Sequence, residues 1–546
     1  VVVTGGGSGI GAAIAEEFGR VGAFVVTLDP MVTVDGKERL GRSERTTVQR
    51  IVDAGGLARA SDLSVTDANG VQALFDELVA EFGALDAVVN MAGISRPTGI
   101  GAGLESDWAD VLNVHFEGYR NVLAAALPAM VEAGHGRILG VTSGSGWRPA
   151  NAGAYGCAKR AVAALTWQIG RVLPPGVTVN ALSPIAATRM VTGGAPAPGL
   201  GTTGGLSLTA MPSPENLGPV GVYLASEDFS WSSGEIVFSG GSEVAVISPP
   251  RLLEVVGIHE NVSVGHVLDA VVPTAFLAAE AAQGTNGGTN PRFGPIFDEP
   301  GGTASMAWTG DGICVVVTDD IEWGRVIGDA LSSRGATPFG VGAWRASDGP
   351  RVDLPFGFVQ TSEGLAKVAR DAGPIDAVIV AVAGGRAAGV RRAPVQWQEV
   401  LADHEGVVDD VRADAGWARA VSDYAVNANR AVRVVTITEA TSAGGRTRAQ
   451  VAAQLARGAQ LGTSGSVAAF AIGVEALEGQ DRRSAAELAA HLVCSREAAA
   501  LSGAELVAAS GWVGLRSHPS PTASITFGGP AVPAWLDRAL QRVISK

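Results

Sequence analysis

The reading of the chain turns on its first eleven residues, Val1-Val-Val-Thr-Gly-Gly-Gly-Ser-Gly-Ile-Gly11. An apolar, β-branched run ends at Thr4, and a glycine string leads into an amphipathic helical pattern over Ile10–Val21. Glycines let the backbone turn sharply and approach a pyrophosphate closely. The helix N-terminus then offers N–H groups and a positive dipole to the anion. A glycine string alone says little, but a strand before it, a helix after it and an acid at the end of the next strand make it specific. That acid is Asp29, closing Phe24–Asp29. A carboxylate there accepts hydrogen bonds from both adenosine ribose hydroxyls and repels a 2′-phosphate, which points to NAD rather than NADP.

Outward from this unit the pattern repeats. Further strands are expected at Leu85–Asn90, Arg137–Thr142, Val177–Leu182 and Glu235–Ser239, alternating with helices at Val71–Phe82, Asp107–Ala133 and Tyr155–Leu173. Such alternation implies a doubly wound parallel sheet. A second α/β pattern begins with a strand at Ile313–Thr318 and a helix at Trp323–Ser333. GALDAVVNMAG (Gly83–Gly93) resembles GPIDAVIVAVAG (Gly373–Gly384), and RILGVT (Arg137–Thr142) resembles RVVTIT (Arg433–Thr438). Ser226-Glu227 and Ser233-Gly234 recur 269 residues later as Ser495-Arg496 and Ser502-Gly503. The expected fold is α/β: two Rossmann-like, doubly wound parallel-sheet lobes, with a first lobe at 1–250, a connection at 251–310 and a second lobe at 311–546.

The 546 residues are 47% hydrophobic and 17% charged, ample for large cores. The net charge of −14 argues against nucleic acid as a partner. No run of 18 apolar residues stands out, so no membrane partner is expected. Cys157, Cys314 and Cys494 are far apart, which excludes a disulfide framework and fits a reducing, cytoplasmic setting. The histidines show no ligand spacing, so no metal is expected. Val1 already lies inside an apolar strand, which reads as a trimmed start.

The first half resembles the short-chain dehydrogenase/reductase family. The resemblance rests on TGGGSGIG (Thr4–Gly11), Asp62-Leu63, NMAG (Asn90–Gly93), Asn113, Ser143, Tyr155-Gly-Cys-Ala-Lys159 and Asn180-Ala-Leu-Ser-Pro184, in the family's order and near its spacing. It covers residues 1 to about 245. There are two departures: NMAG stands for the usual NNAG, and Pro184-Ile185 for the usual Pro-Gly. The second of these affects the nicotinamide wall.

The chemistry requires these residue types. Hydride transfer to a carbonyl needs a proton delivered to the developing alkoxide, and a phenol of pKa near 10 is a poor base at neutral pH. Lys159, four residues after Tyr155, falls on the same helix face, and its ammonium would stabilise the phenolate. By the resemblance, Lys159 also binds the nicotinamide ribose, Ser143 hydrogen-bonds the substrate oxygen, and Asn113 holds a relay water. Asp62, with Leu63, would meet the adenine. Asn90, Ala92 and Gly93 would meet the adenosine side, and Pro184 and Thr188 the nicotinamide side. Gly5, Gly7, Ser8, Gly9, Ile10 and Gly11 would cradle the pyrophosphate. Ser145 competes with Ser143, which directly follows its strand and is preferred. Cys157 is expected to pack rather than react.

The second half lacks this set. Thr318-Asp319-Asp320-Ile321-Glu322-Trp323-Gly324 puts acids and a tryptophan where glycines would be. Two carboxylates beside a helix N-terminus repel a pyrophosphate. The positions of Asn113, Ser143, Tyr155 and Lys159 fall near Ala402, Glu439, Val451 and Leu455. The expectation is a degenerate copy without a redox site, whose alanine-rich helices supply an internal pseudo-dimer, with a further homodimer allowed.

The expected function is NAD-dependent interconversion of a secondary alcohol and a ketone, with Thr192–Thr209 as a glycine-rich lid. One alternative is a 3-hydroxyacyl-CoA or hydroxysteroid dehydrogenase, for which the long stretch after the second strand offers Arg39, Arg42, Arg45 and Arg50. The other is an NAD-responsive interaction protein with a vestigial site.

Overall fold

The computed structural model describes residues 1–41, 45–192, 211–258, 264–283, 310–346, 352–355, 357–383, 396–475, 479–509, 511–529 and 531–544. The expected lid lies almost wholly outside them.

Among the described residues, seventeen strands form two sheets. In the first lobe these are β1 (Val2–Thr4), β2 (Phe24–Leu28), β3 (Leu57–Ser61), β4 (Ala87–Asn90), β5 (Gly136–Val141), β6 (Val177–Pro184), β7 (Ile236–Ser239) and β8 (Glu243–Ser248). Next comes β9 (Leu252–Gly257). The second half carries β10 (Ile313–Thr318), β11 (Thr337–Gly342), β12 (Ile375–Ala381), β13 (Val432–Glu439), β14 (Val467–Val474), β15 (Glu505–Ala509), β16 (Trp512–Arg516) and β17 (Ser520–Thr526). The sheet orders are β17-β8-β7-β6-β5-β4-β1-β2-β3 and β11-β10-β12-β13-β14-β15-β16-β9. From β3 to β7 and from β11 to β15 every pairing is parallel. Two Rossmann-like lobes therefore stand in one chain, and the central strands are buried on both faces, as parallel sheets require.

The edges show what the repeats did not. After the hairpin β7–β8 the chain crosses over, and β9 pairs antiparallel with β16 of the second sheet. After β15–β16 it crosses back, and β17 pairs antiparallel with β8 of the first. The segment 251–310, expected as a connection, thus supplies an edge strand to the second lobe. The end of the second half returns the exchange. The last helix, Leu536–Ile544, also belongs to the first lobe: Leu536 and Leu540 are buried with Val3, Ile14 and Leu224. Asp537 accepts from Tyr223 Oη at 3.0 Å and from Trp231 Nε1 at 2.5 Å. Reciprocal strand exchange makes each sheet depend on the other half of the chain.

The lobes meet through the helices Gly153–Ile169 and Ala443–Gly462. Ala154, Ala158, Ala161 and Leu165 share one continuous core with Val451, Leu455 and Ala459. Small side chains let the two backbones come close. Cys157 lies in this core, and burial pushes its thiol up to about 12, so it packs and does not react.

Val264–Ala281 is a helix of 18 residues with mean hydropathy 1.3, long and apolar enough by length and composition to cross a membrane, although His266, Asp269 and Glu280 interrupt its apolar run. Here it lies on the second lobe. Leu268, Val272 and Phe276 enter that core, and Asp269 pairs with Arg334 at 3.2 Å and with His491 at 3.0 Å.

Candidate functional site

The first sheet reverses its winding between β4 and β1, and ligands of such sheets bind at the carboxyl ends of strands beside this point. Thr4 closes β1 with its hydroxyl donating to Asn90 Oδ1 at 2.8 Å. Gly5 then turns with φ +63°, and a Cβ on it would stand 2.8 Å from Ala92 N. A Cβ on Gly11 would stand 2.3 Å from Gly5 O, so the helix Gly9–Arg20 can begin this close only with glycines. A Cβ on Gly9 would meet Thr188 Cγ2 at 3.6 Å, an ordinary contact. The glycines thus bring the N-terminus of Gly9–Arg20, with its free N–H groups, to the edge of a hollow, a setting that suits a phosphate.

Asp29, just past β2, accepts from Gly7 N at 2.9 Å and from Met31 N at 2.8 Å. Its carboxylate is thus fixed beside the cradle. Gly5, Ser8, Gly9, Ile10, Gly11 and Asp29 line one hollow, which continues past Gly93, Pro184 and Thr188 to Ser143, Tyr155 and Lys159. Of the other residues expected at a dinucleotide, Ala92 lines an adjoining hollow with Gly93 and Asp29. Asn90 is buried and serves the end of β1. Asp62 is exposed and paired with Arg39 at 3.3 Å, and Leu63 packs against the core. Neither Asp62 nor Leu63 lines the two hollows.

At the reactive end, Tyr155 and Lys159 project from one face of Gly153–Ile169. Ser143 follows β5, and its hydroxyl hydrogen-bonds the Tyr155 phenol. Burial raises the phenol pKa, while Ser143 and the Arg148 guanidinium pull it down. Ser145 lines the hollow but its N–H donates to Ser143 Oγ at 3.3 Å, so Ser143 is the hydroxyl aimed at Tyr155. Lys159 Nζ donates to Val141 O at 2.9 Å and lies 5.6 Å from the Tyr155 ring centroid. Burial pushes its pKa down to about 7. Thr142 Oγ1 donates to Lys159 O at 2.7 Å, tying the serine strand end to the lysine turn.

Asn113 is not brought to Tyr155. The expected long helix is interrupted by a π-helical segment, Asn113–Glu117, and Asn113 is exposed there, lining the adjoining hollow. Residues two apart on a helix face opposite ways. His115 therefore takes the inner face: it is buried and lines the hollow of Tyr155, with ring centroids 5.1 Å apart and planes at 85°. A Cβ on Gly93 would stand 2.4 Å from His115 Cε1, so the glycine makes room for the ring. His115 Nε2 meets the Ile94 backbone, 2.8 Å from its carbonyl oxygen and 3.2 Å from its nitrogen, while buried Nδ1 meets no partner among the described residues. Burial and the Lys159 charge hold its pKa well below the usual value, which favours the neutral ring. The sequence signal was a histidine at the centre of the long helix, two residues from the asparagine chosen.

The second lobe presents different chemistry at the same place. Asp319 accepts from Ala383 N at 2.9 Å. Asp320 caps the helix Ile321–Ser333 and pairs with Arg482 at 2.9 Å, whose guanidinium lies 5.3 Å from the Trp323 ring. Trp344 covers Gly324 and Gly328, where a Cβ would approach it to 2.1 and 2.5 Å. Val451 and Leu455 are buried in the core between the lobes.

A family model described as short chain dehydrogenase matches residues 1–194. A short-chain reductase protein NovJ of Streptomyces niveus is 34% identical over 249 residues, 44% of this chain and 92% of that protein. A cis-4-hydroxycyclohexanecarboxylate dehydrogenase of Sinomonas cyclohexanicum is 34% identical over 249 residues, 45% of this chain and 96% of its own length. Among solved structures, the N-domain of a bacterial malonyl-CoA reductase with NADP has a TM-score of 0.61 at 17% identity, covering 90% of this chain and 94% of that one. That likeness shows the fold of both lobes together.

Proposed function

The chain belongs to the short-chain dehydrogenase/reductase family of oxidoreductases, and on that premise we propose that its first lobe interconverts a secondary alcohol and a ketone with NAD. The observation that carries this reading is the hydrogen-bonded Ser143–Tyr155 pair, with Lys159 beneath it, in the same hollow as the glycine cradle. Asp29, fixed by Gly7 and Met31, supports NAD: its carboxylate suits a ribose diol and opposes a 2′-phosphate.

The nicotinamide supplies or accepts the hydride. The chain's own residues manage the proton and the developing charge. In reduction, Ser143 donates a hydrogen bond to the carbonyl oxygen, and Tyr155 Oη gives its proton to the alkoxide as it forms. Lys159 and Arg148 stabilise the phenolate left behind. His115, with its buried Nδ1 unpartnered beside Tyr155, takes the relay position expected of Asn113. In oxidation, the same atoms act in reverse.

The acyl-CoA alternative asks for cations open to phosphates. Arg39 pairs with Asp62 at 3.3 Å, Arg45 with Asp53 at 3.4 Å and Arg50 with Glu16 at 2.7 Å, while Arg42 lies outside the described residues. The Arg39 and Arg45 pairs are exposed, so this alternative stands beside the smaller alcohol or ketone. In this reading the second lobe has no redox site and braces the first. NADH-dependent reduction of a ketone panel tests it: Tyr155→Phe should abolish turnover with NADH binding retained, and activity surviving that change would refute the mechanism.

A further inference from the structure

The charges around the hollow are uneven. Among its described lining residues Asp29 is the only acid, and it is held by Gly7 and Met31. Three side chains with cationic groups line the same hollow. Lys159 donates to Val141 O behind Tyr155. Arg189 donates to Ser8 Oγ at 2.8 Å, at the glycine cradle, where a cofactor pyrophosphate would meet it. The third, Arg148, lies on the Ser143 loop. It lines the hollow with Ser145 and Tyr155, close enough for its charge to act on the phenol. The wall is completed by apolar groups, among them Ile185 and Met211, which also pack against buried Trp147. A cation in an apolar wall beside the reacting oxygen attracts a substrate carrying a negative group. A planar guanidinium matches a carboxylate in particular.

The position of Arg148 is set from the other lobe. Gln454 Nε2, on Ala443–Gly462, donates to Ser145 O at 2.9 Å and to Arg148 O at 3.1 Å. Arg457, one turn further on, donates to Trp147 O through Nη1 and to Gly503 O through Nε at 3.3 Å. Gln454 is 5% exposed and Arg457 8% exposed, so these bonds are made away from water, where they hold geometry best. Three residues of the loop, Ser145, Trp147 and Arg148, are thereby fixed through their carbonyls by a helix of the other lobe.

We propose that the substrate is an organic acid, a keto acid in one direction and a hydroxy acid in the other, whose carboxylate is received by Arg148. This rests on the oxidoreductase reading. The carboxylate takes no part in the redox step: one hydride and one proton join the ketone, and the anion only orients it.

The test offers ketones in matched pairs, each as free acid and methyl ester: levulinate, 5-oxohexanoate and 4-acetylbenzoate, with NADH oxidation followed. The wild-type chain should prefer the acids by about tenfold or more in kcat/KM. Arg148→Gln also withdraws a charge from the Tyr155 phenolate, so it should lower kcat for acids and esters alike but raise KM for the acids alone, removing the preference, and Arg148→Lys should keep part of it. Equal turnover of acids and esters by the wild type, or a preference unchanged in Arg148→Gln, overturns the anion site while the oxidoreductase reading stands. NADH oxidation with no pair overturns that reading, and this one with it.

Discussion

Gln454 of the second lobe donates to the backbone carbonyl of Ser145 at 2.9 Å, two residues beyond the serine that hydrogen-bonds the catalytic tyrosine. The catalytic loop of one lobe is therefore held by a side chain of the other. The two lobes bury helices against each other within one chain, and the contact falls on the loop that carries Ser143.

This relationship predicts an asymmetric effect. Gln454→Ala and Arg457→Ala free the carbonyls of Ser145, Trp147 and Arg148, and a shift of the loop by about 1 Å can cost on the order of a hundredfold in rate. Steady-state kinetics should show kcat/KM falling by at least about tenfold. NADH affinity, set by the glycine cradle, should stay close to wild type. Arg457→Lys should recover part of the loss. Loss of cofactor binding along with activity would mean that the second lobe supports the fold as a whole rather than this loop.

Exchanging the two candidates on the long helix separates their roles. His115→Leu removes the buried imidazole beside Tyr155 and should lower kcat by about 10²-fold, the lower range for a group that serves proton transfer. Asn113→Ala, on the opposite and exposed face, should leave kcat nearly unchanged. The reverse order would return the relay to Asn113.

Lys159 is held at about 7, against an ordinary value of 10.5. Between those limits the unfolded chain binds a proton that the folded site rejects, so the site costs stability that is recovered as pH rises. Lys159→Met should therefore stabilise the cofactor-free protein at pH 7 by on the order of 2–4 kcal/mol, while abolishing turnover. The gain should shrink as pH climbs from 7 toward 10.5. Denaturant unfolding of both proteins across that range checks the sign.

Asp29 makes a separate prediction. Asp29→Ser keeps a small acceptor for Gly7 and Met31 but removes the charge. The ratio of kcat/KM with NADH to that with NADPH should fall by about 10–100-fold, or about 1.4–2.8 kcal/mol. An unchanged ratio would show that another group reads the ribose.

Much of this was legible in the chain because it is local. A strand, a glycine turn, a helix and an acid at the next strand end identify themselves within thirty residues, and Tyr155 and Lys159 share a face by spacing alone. The failures are non-local or depend on helix phase. Nothing in Leu252–Gly257 or Ser520–Thr526 says which sheet an edge strand will join, so the reciprocal exchange of β9 and β17 was invisible. Asn113 is read from residue type and the family pattern without the phase of the helix, which its π segment also alters, and it is His115 that lies against Tyr155. Gln454 and Arg457 did carry a signal: polar side chains three apart on an alanine-rich helix face. Without the partner loop, that pattern reads as solvent exposure. The carboxylates at Asp319 and Asp320 were read as hostile to a phosphate, and Asp320 is in an ion pair with Arg482.

The central claim is that one lobe binds the cofactor and the other positions the loop that uses it. Calorimetric titration of the full chain with NADH, after denaturation of a sample to check for nucleotide already bound, tests it most directly. The account predicts one NADH per chain, with NADPH much weaker. Two equivalents per chain would contradict it, because the second lobe, with Asp319, Asp320 and Trp344 at its strand ends, would then be a working site.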